Sequence, residues 1–317
     1  MHLRPFLPLL LSFLWLSTAH AQIIITYIEG AASWQRESVG EWQRLEVGQN
    51  LDLGGQLNVE KDSELHLLSA GVYYRLQDAG KYEVKKLLRA KSPSVATTLP
   101  TGITQQSEES FRAIRNAAAW EKYLESLEQT SDFGIGAIAP VGGLVKGPYC
   151  EFNWLAFEHP GFSSYRLKLW AFESKQVVLE TRVSGNKLGL QIEDLYLDQG
   201  ETYLWQVEAV LDETYDDISD LSTIRSEPTE FLYAPHTTSP NKEALRSLSL
   251  YADLPLSCRY YLLANALETD QYYNSAFYIL RSWLEEEPEN LLAARSYATF
   301  LARRGYVDSI EKWMEGE

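Results

Sequence analysis

The sequence predicts a multi-domain chain of β plus α class: two β units separated by a connecting helix, followed by a helical tail. Three observations predict it. Apolar and polar residues alternate in short bursts between turn residues over 22–91 and again over 148–235, the pattern of half-buried strands. After Pro235 to Pro240 the apolar spacing changes to a helical period. A hydrophobic content of 45% and an aromatic content of 12% in 317 residues supply more than one core, enough for two or three domains. The 44 acidic and 28 basic residues leave a net charge of −16, which argues against nucleic acid or an anionic membrane as an electrostatic partner. That apolar content is also too high for intrinsic disorder.

Residues 1–21 precede the fold. His2 and Arg4 lead an apolar run from Pro5 to Leu16, which ends in Ser17, Thr18 and the small-residue site Ala19-His20-Ala21. This order predicts a secretory signal peptide cut after Ala21. The run is shorter than the ~20 residues of a membrane-spanning helix and has no polar face, and no later stretch reaches spanning length. Export permits a disulfide between the two cysteines, Cys150 and Cys258, and the sequence leaves open whether they are bridged.

In residues 22–91 the first strand is expected at Ile23-Ile24-Ile25-Thr26-Tyr27-Ile28, ending at Glu29-Gly30. Glu41-Trp42-Gln43-Arg44-Leu45 follows, and Gly48 and Gly54-Gly55 mark turns. Leu65-His66-Leu67-Leu68, Val72-Tyr73-Tyr74-Arg75-Leu76 and Tyr82-Glu83-Val84 supply three more strands. On these turn glycines and strand residues the stretch resembles the FecR-type domain of bacterial envelope proteins. The resemblance implies a small β domain in the periplasm or envelope of a Gram-negative bacterium, with a secreted form as a variant. The iron-signalling regulators of that family carry a cytoplasmic segment and membrane helix where this chain has a cleavable signal, so sigma-factor regulation is not implied.

Residues 92–106, with Pro93 and Pro100, read as a linker, and Phe111, Ile114, Ala118, Leu124 and Leu127 give the helical spacing of a connecting helix over 107–129. Residues 130–147 read as a Gly/Ala-rich linker. Gly134-Ile135-Gly136 there is a poor dinucleotide-binding fingerprint, since no strand precedes it and Pro140 interrupts the helix that should follow.

In 148–235 the strand anchors are Phe152-Asn153-Trp154, Tyr165 to Trp170, Val177-Val178-Leu179, Leu188-Gly189-Leu190, Leu195, Tyr203 to Val207 and Thr229-Glu230-Phe231. With Trp154 early, Leu195 and Gly200 before a Tyr203-x-Trp205-x-Val207-x-Ala209 strand, and Ser226 before the last strand, this stretch resembles a fibronectin type III or immunoglobulin-like sandwich. That resemblance implies a spacer or binding module rather than a reaction.

Over 241–317, Tyr260, Leu263, Ala264, Leu267, Ala276, Leu280, Trp283 and Pro288 fall at the offsets of a tetratricopeptide repeat. A shift of thirty-four residues places Ala294, Tyr297, Ala298 and Leu301 on the same pattern, followed by Gly305, Ile310 and Met314. The segment resembles tetratricopeptide-like helical hairpins. About two repeats fit, fewer than the ~3 of a free-standing solenoid, so the block is expected to pack on the preceding sandwich, to include an extra helix near Lys242 to Leu250, or to dimerise.

No catalytic constellation is expected. Past the signal only His66, His159 and His236 remain, far apart and in separate units, with no metal spacing, phosphate loop, Gly-x-Ser-x-Gly elbow or cysteine nucleophile beside a histidine. No cofactor is implied. Asp212, Glu213, Asp216, Asp217 and Asp220 crowd one loop, where hard cations are held by several oxygens; Asp212, Asp216, Asp217 and Asp220 are a weak calcium candidate against a solvated loop. Trp34 and one of Tyr73 and Tyr74 are the candidate exposed aromatics for stacking on sugar. The expected function is therefore a non-catalytic exported envelope protein that binds protein partners as an interaction or scaffold module. Carbohydrate or cell-wall polymer recognition by residues 22–91 is the alternative, and a hydrolase built on paired carboxylates a weaker one.

Overall fold

The computed structural model describes residues 23–36, 40–89, 96–104, 106, 135–155, 161–211, 224–301, 303 and 304. The expected signal segment, the expected connecting helix of 107–129, His159 and the acidic stretch from Asp212 to Asp220 lie outside them.

The first β unit is a pair of antiparallel sheets. Strands β1 (Ile23–Glu29), β4 (Asn50–Leu51), β6 (Glu64–Ser69), β7 (Val72–Leu76) and β9 (Ala96–Thr98) form one, in the order β4-β1-β6-β7-β9. Strands β2 (Ala32–Gln35), β3 (Gln43–Arg44), β5 (Gln56–Val59) and β8 (Gly80–Glu83) form the other, in the order β3-β2-β5-β8. The strand expected at Tyr82 to Val84 stops at Glu83, where the short helix α1 (Val84–Leu87) begins and buries Val84 and Leu87. The core between the sheets takes Ile23, Ile25, Leu65, Leu67, Tyr74 and Leu76 from one side and Ala32, Trp34, Leu57 and Val59 from the other.

The alternate residues of the first sheet are equally buried. Ile24, Leu68 and Tyr73 point away from that core yet are 0%, 1% and 2% exposed, because they enter a second core shared with the C-terminal helices. Successive side chains of a strand point to opposite faces, so the runs Ile23-Ile24-Ile25, Leu67-Leu68 and Tyr73-Tyr74 are what a sheet covered on both faces requires. This corrects the expectation of exposed aromatics: Trp34, Tyr73 and Tyr74 are all buried. Part of the expected 92–106 linker is ordered too, with β9 paired to β7 and Leu99 and Ile103 in the shared core.

The second unit is a two-sheet sandwich. Strands β10 (Gly136–Ala139), β12 (Tyr149–Leu155) and β15 (Lys187–Gln191) form a three-stranded sheet. The facing sheet contains β11 (Leu144–Val145), β13 (Phe162–Ala171), β14 (Val177–Val183), β16 (Thr202–Leu211) and β17 (Thr229–Tyr233), ordered β11-β17-β16-β13-β14 with β11 parallel to β17. This order, with the first strand divided between the sheets, is a fibronectin type III/Ig-like arrangement. Phe152 and Trp154 pack edge-on against Trp205 and Tyr165, at 5.2 and 5.7 Å between ring centroids. Within the expected 130–147 linker, Gly136 to Val145 are thus the divided first strand, its passage between sheets made by Gly142 and Gly143 at φ +63° and +66°. Gly143 has a second reason to lack a side chain: a Cβ would lie 2.3 Å from the carbonyl oxygen of Gln271 in the helical layer.

The C-terminal helices are α2 (Pro240–Arg246), α3 (Leu256–Thr269), α4 (Tyr273–Glu286) and α5 (Leu291–Leu301). Helix α2 is the extra helix; the Ser239 hydroxyl caps it at the Lys242 N–H, and the Asp270 carboxylate accepts from the Asn241 N–H at 2.9 Å. Ala264, Leu267, Ala276, Leu280, Trp283, Ala294, Ala298 and Leu301 are buried where the repeat spacing places the helix seam. The layer packs on both β units. Leu144 N–H donates to Gln271 O at 2.8 Å and Arg281 reaches Glu151 and Asn153 on β12 at 3.1 and 3.2 Å, while Arg295 reaches Gly48 O at 2.9 Å on the first unit.

Candidate functional site

The seam between the first β unit and the helices holds a buried cluster of titratable groups. A bulge at Thr26 on β1 shifts the register with β6 and turns the Thr26 carbonyl toward α3, where Cys258 Sγ lies 3.7 Å away. Cys258 Sγ is also 3.9 Å from His66 Nδ1, which contacts the Tyr73 hydroxyl; His66 Nε2 contacts the Glu64 carboxylate, and Arg75 Nε donates to that carboxylate at 2.5 Å. The expectation that no cysteine has a histidine nearby is therefore corrected. The two residues are 192 apart in sequence and meet only when the helices close on the sheet.

Thiol, imidazole and carboxylate in a row are the parts of a nucleophile and its base, and the environment decides what they do here. Cys258 is 1% exposed, and burial pushes its thiol up to about 11, with hydrogen bonds from the neighbouring groups only partly opposing this. The thiol is accordingly protonated at neutral pH. Burial likewise lowers the pKa of His66, against the pull of Glu64. Burial would raise Glu64, but hydrogen bonds from Arg75, His66 and Gln77 outweigh it and hold the carboxyl at about 2. A neutral imidazole between a carboxylate and a phenol carries its proton on Nε2, donating to Glu64, and accepts from Tyr73 on Nδ1. The cluster is a polar seam, closed to solvent at His66 and Cys258.

A second seam joins the helices to the sandwich. Cys150 is buried on β12 with Asn274 Nδ2 3.5 Å from its sulfur, and burial pushes its thiol far up. Cys150 and Cys258 are free thiols in this structure, one buried in each seam. Beside Cys150, Arg281 links Glu151 to Glu285 at 3.1 and 2.8 Å. The crevice between Ile138, Ala139, Val141 and the helix residues Tyr273, Asn274, Phe277, Phe300 and Arg304 is too tight to admit even a water-sized group. Among the described residues no group of three His, Cys, Asp or Glu side chains is arranged to hold a metal ion, and His236 is exposed by itself on the chain between the sandwich and α2.

Apolar side chains reach solvent mainly on the sandwich. Trp170, Val177 and Leu204 are register neighbours on the outer face of the five-stranded sheet; Phe172, just beyond β13, and Val177 are 45% and 44% exposed. Lys168 and Lys175 stand over the Trp170 and Phe172 rings at 6.0 and 4.4 Å.

No family model matches the chain, and no curated protein matches it. Solved structures similar to it include the fn3 domain of human collagen alpha-1(XX) chain, at 13% identity over 34% of this chain and 82% of that one, with a TM-score of 0.23. CopC from Methylosinus trichosporium OB3b is 16% identical over 33% of this chain and 96% of its own, with a TM-score of 0.22. The chicken CNTN1 FN1–FN3 domains are 10% identical over 68% and 57%, with a TM-score of 0.23. At these scores the sandwich rests on its own strand order and core.

Proposed function

We propose that the chain is a non-catalytic, exported scaffold of a bacterial envelope, built from a FecR-like β domain, a fibronectin-like sandwich and a tetratricopeptide-like helical layer, and that it binds protein partners. The observation that carries this reading is the double coverage of the first sheet. One layer of helices seals its second face and is hydrogen-bonded to the sandwich, so the two β units are held in a fixed relation, which suits presentation of surfaces rather than turnover. The outer sandwich face with Phe172 and Val177 is the docking surface that fits best. Export rests on the His2 to Ala21 pattern, and no helix among the described residues is long and apolar enough to cross a membrane. The polymer-binding alternative loses its aromatic platform, since Trp34, Tyr73 and Tyr74 are buried.

The test is crosslinking of the tagged mature chain in intact envelopes, beside a variant carrying Phe172→Glu and Val177→Glu, with sedimentation against peptidoglycan in parallel. The reading expects a protein adduct that the double variant loses while its circular dichroism is unchanged. Co-sedimentation with peptidoglycan and no protein adduct would overturn it.

A further inference from the structure

We infer that the chain pairs with a second copy of itself through the open edge of β14, joining two five-stranded sheets across a two-fold axis. The inference is independent of the scaffold reading. Folded proteins keep exposed sheet edges short or guard them with proline, bulges or inward charges, because bare edge backbone invites another strand. The other edge strands of the described sheets span two to five residues; β14 spans seven, with the sequence Val-Val-Leu-Glu-Thr-Arg-Val and no proline. Its one irregularity falls at Val178, outside the regular stretch from Leu179 to Val183. The opposite edge of the same sheet is closed, since Leu144 of β11 gives its N–H to Gln271 in the helical layer. Among the described residues, β14 is the edge of this sheet that no other strand or helix pairs with.

The side chains select the register. Leu179, Thr181 and Val183 stand across from Leu169, Leu167 and Tyr165 on the core side, whereas Glu180 and Arg182 stand across from Lys168 and Arg166 on the solvent side. Antiparallel pairing centred on Thr181 sets Glu180 opposite Arg182 of the partner subunit, and the two-fold repeats the pair. The same register places Leu179 against Val183 of the partner subunit, apolar on apolar. Centring on Glu180 or on Arg182 instead sets like charges face to face, and a slip by an odd number of positions would send the core-facing residues to solvent. One register of the three is thus electrostatically favoured. Within its own sheet Arg182 faces Arg166, whose guanidinium lies 3.8 Å from the carboxylates of Glu180 and Glu208, and Arg182 Nε donates to the Ser164 hydroxyl at 2.7 Å.

The experiment is sedimentation velocity of the full mature chain over a concentration series, with charge reversals. A dimer is expected for the wild type. Glu180→Arg alone and Arg182→Glu alone should each weaken dimerisation by roughly tenfold or more, since both symmetry-related pairs become repulsive. The double variant E180R/R182E should restore it, which also shows that both substitutions are tolerated by the fold. Thr181→Cys should form an intermolecular disulfide under mild oxidation, because residues directly opposite across antiparallel strands have Cα atoms ~4.5–5.5 Å apart, within disulfide reach. A wild type that stays monomeric, a dimer indifferent to the single reversals, or a double variant that fails to recover would each overturn the inference.

Discussion

Replacing Leu68 by alanine tests whether the helices cover the first sheet, and Leu67 is its internal comparison. The two are neighbours on β6, point to opposite faces and are 1% and 0% exposed, Leu68 in the core shared with the helices and Leu67 in the core between the sheets. Removing a leucine side chain from a closed core costs about 2–5 kcal/mol. Leu68→Ala and Leu67→Ala should therefore each lower the unfolding free energy by an amount in that range. A leucine on an uncovered sheet face would cost within about 0.5 kcal/mol on truncation. Equilibrium urea unfolding of the mature chain, followed by far-ultraviolet circular dichroism, reads both variants. A midpoint for Leu68→Ala equal to that of the wild type, with Leu67→Ala alone destabilised, would refute the double coverage.

The divided first strand gives a second comparison. Gly142→Ala meets nothing closer than 3.9 Å and should cost about 1–2 kcal/mol for its left-handed backbone, whereas Gly143→Ala adds a clash with the Gln271 carbonyl and should cost clearly more. Equal melting temperatures for the two variants would contradict the packing of α4 on β11. The polar seam predicts a direction with pH. Glu64 is held at about 2, so its stabilisation is present above its unfolded value of ~4.3 and is lost as pH falls toward 2; His66 is held neutral, so its contribution declines as pH falls below ~6.5. Both groups make the fold weaker in acid. Glu64→Gln should be less stable than the wild type near neutrality and lose less between pH 4.5 and 2, read from urea midpoints along a pH series; parallel curves would contradict the assignment.

Much of the architecture is legible in the sequence because it is local. Alternation placed β1, β6, β7, β13 and β16 within a few residues, and the seam positions from Tyr260 to Trp283 follow from helical period alone. The Gly/Ala-rich stretch escaped because glycine and alanine have low strand propensity, and its role is to change sheets and to pass under α4. The double coverage was written in Ile23-Ile24-Ile25 and Tyr73-Tyr74, where apolar residues fill both faces; reading each run as one half-buried strand hid the second face. The Cys258–His66 approach had no sequence signal, since the bulge at Thr26 and the docking of α3 create it. The β14 edge was visible as a strand, but its place at the end of a sheet emerged only from the topology.

The central claim, that one helical layer fastens both β units, is tested most directly by the two thiols, since one lies in each seam. Their alkylation rates can be followed separately by peptide mass spectrometry in the native mature chain and in Phe277→Ala, whose ring is 2% exposed in the shared core. The account predicts that Cys150 and Cys258 are both strongly protected in the wild type and that loosening the helical layer accelerates both. Alkylation of either cysteine at the rate of an exposed thiol in the wild type, or acceleration of only one by Phe277→Ala, would contradict it.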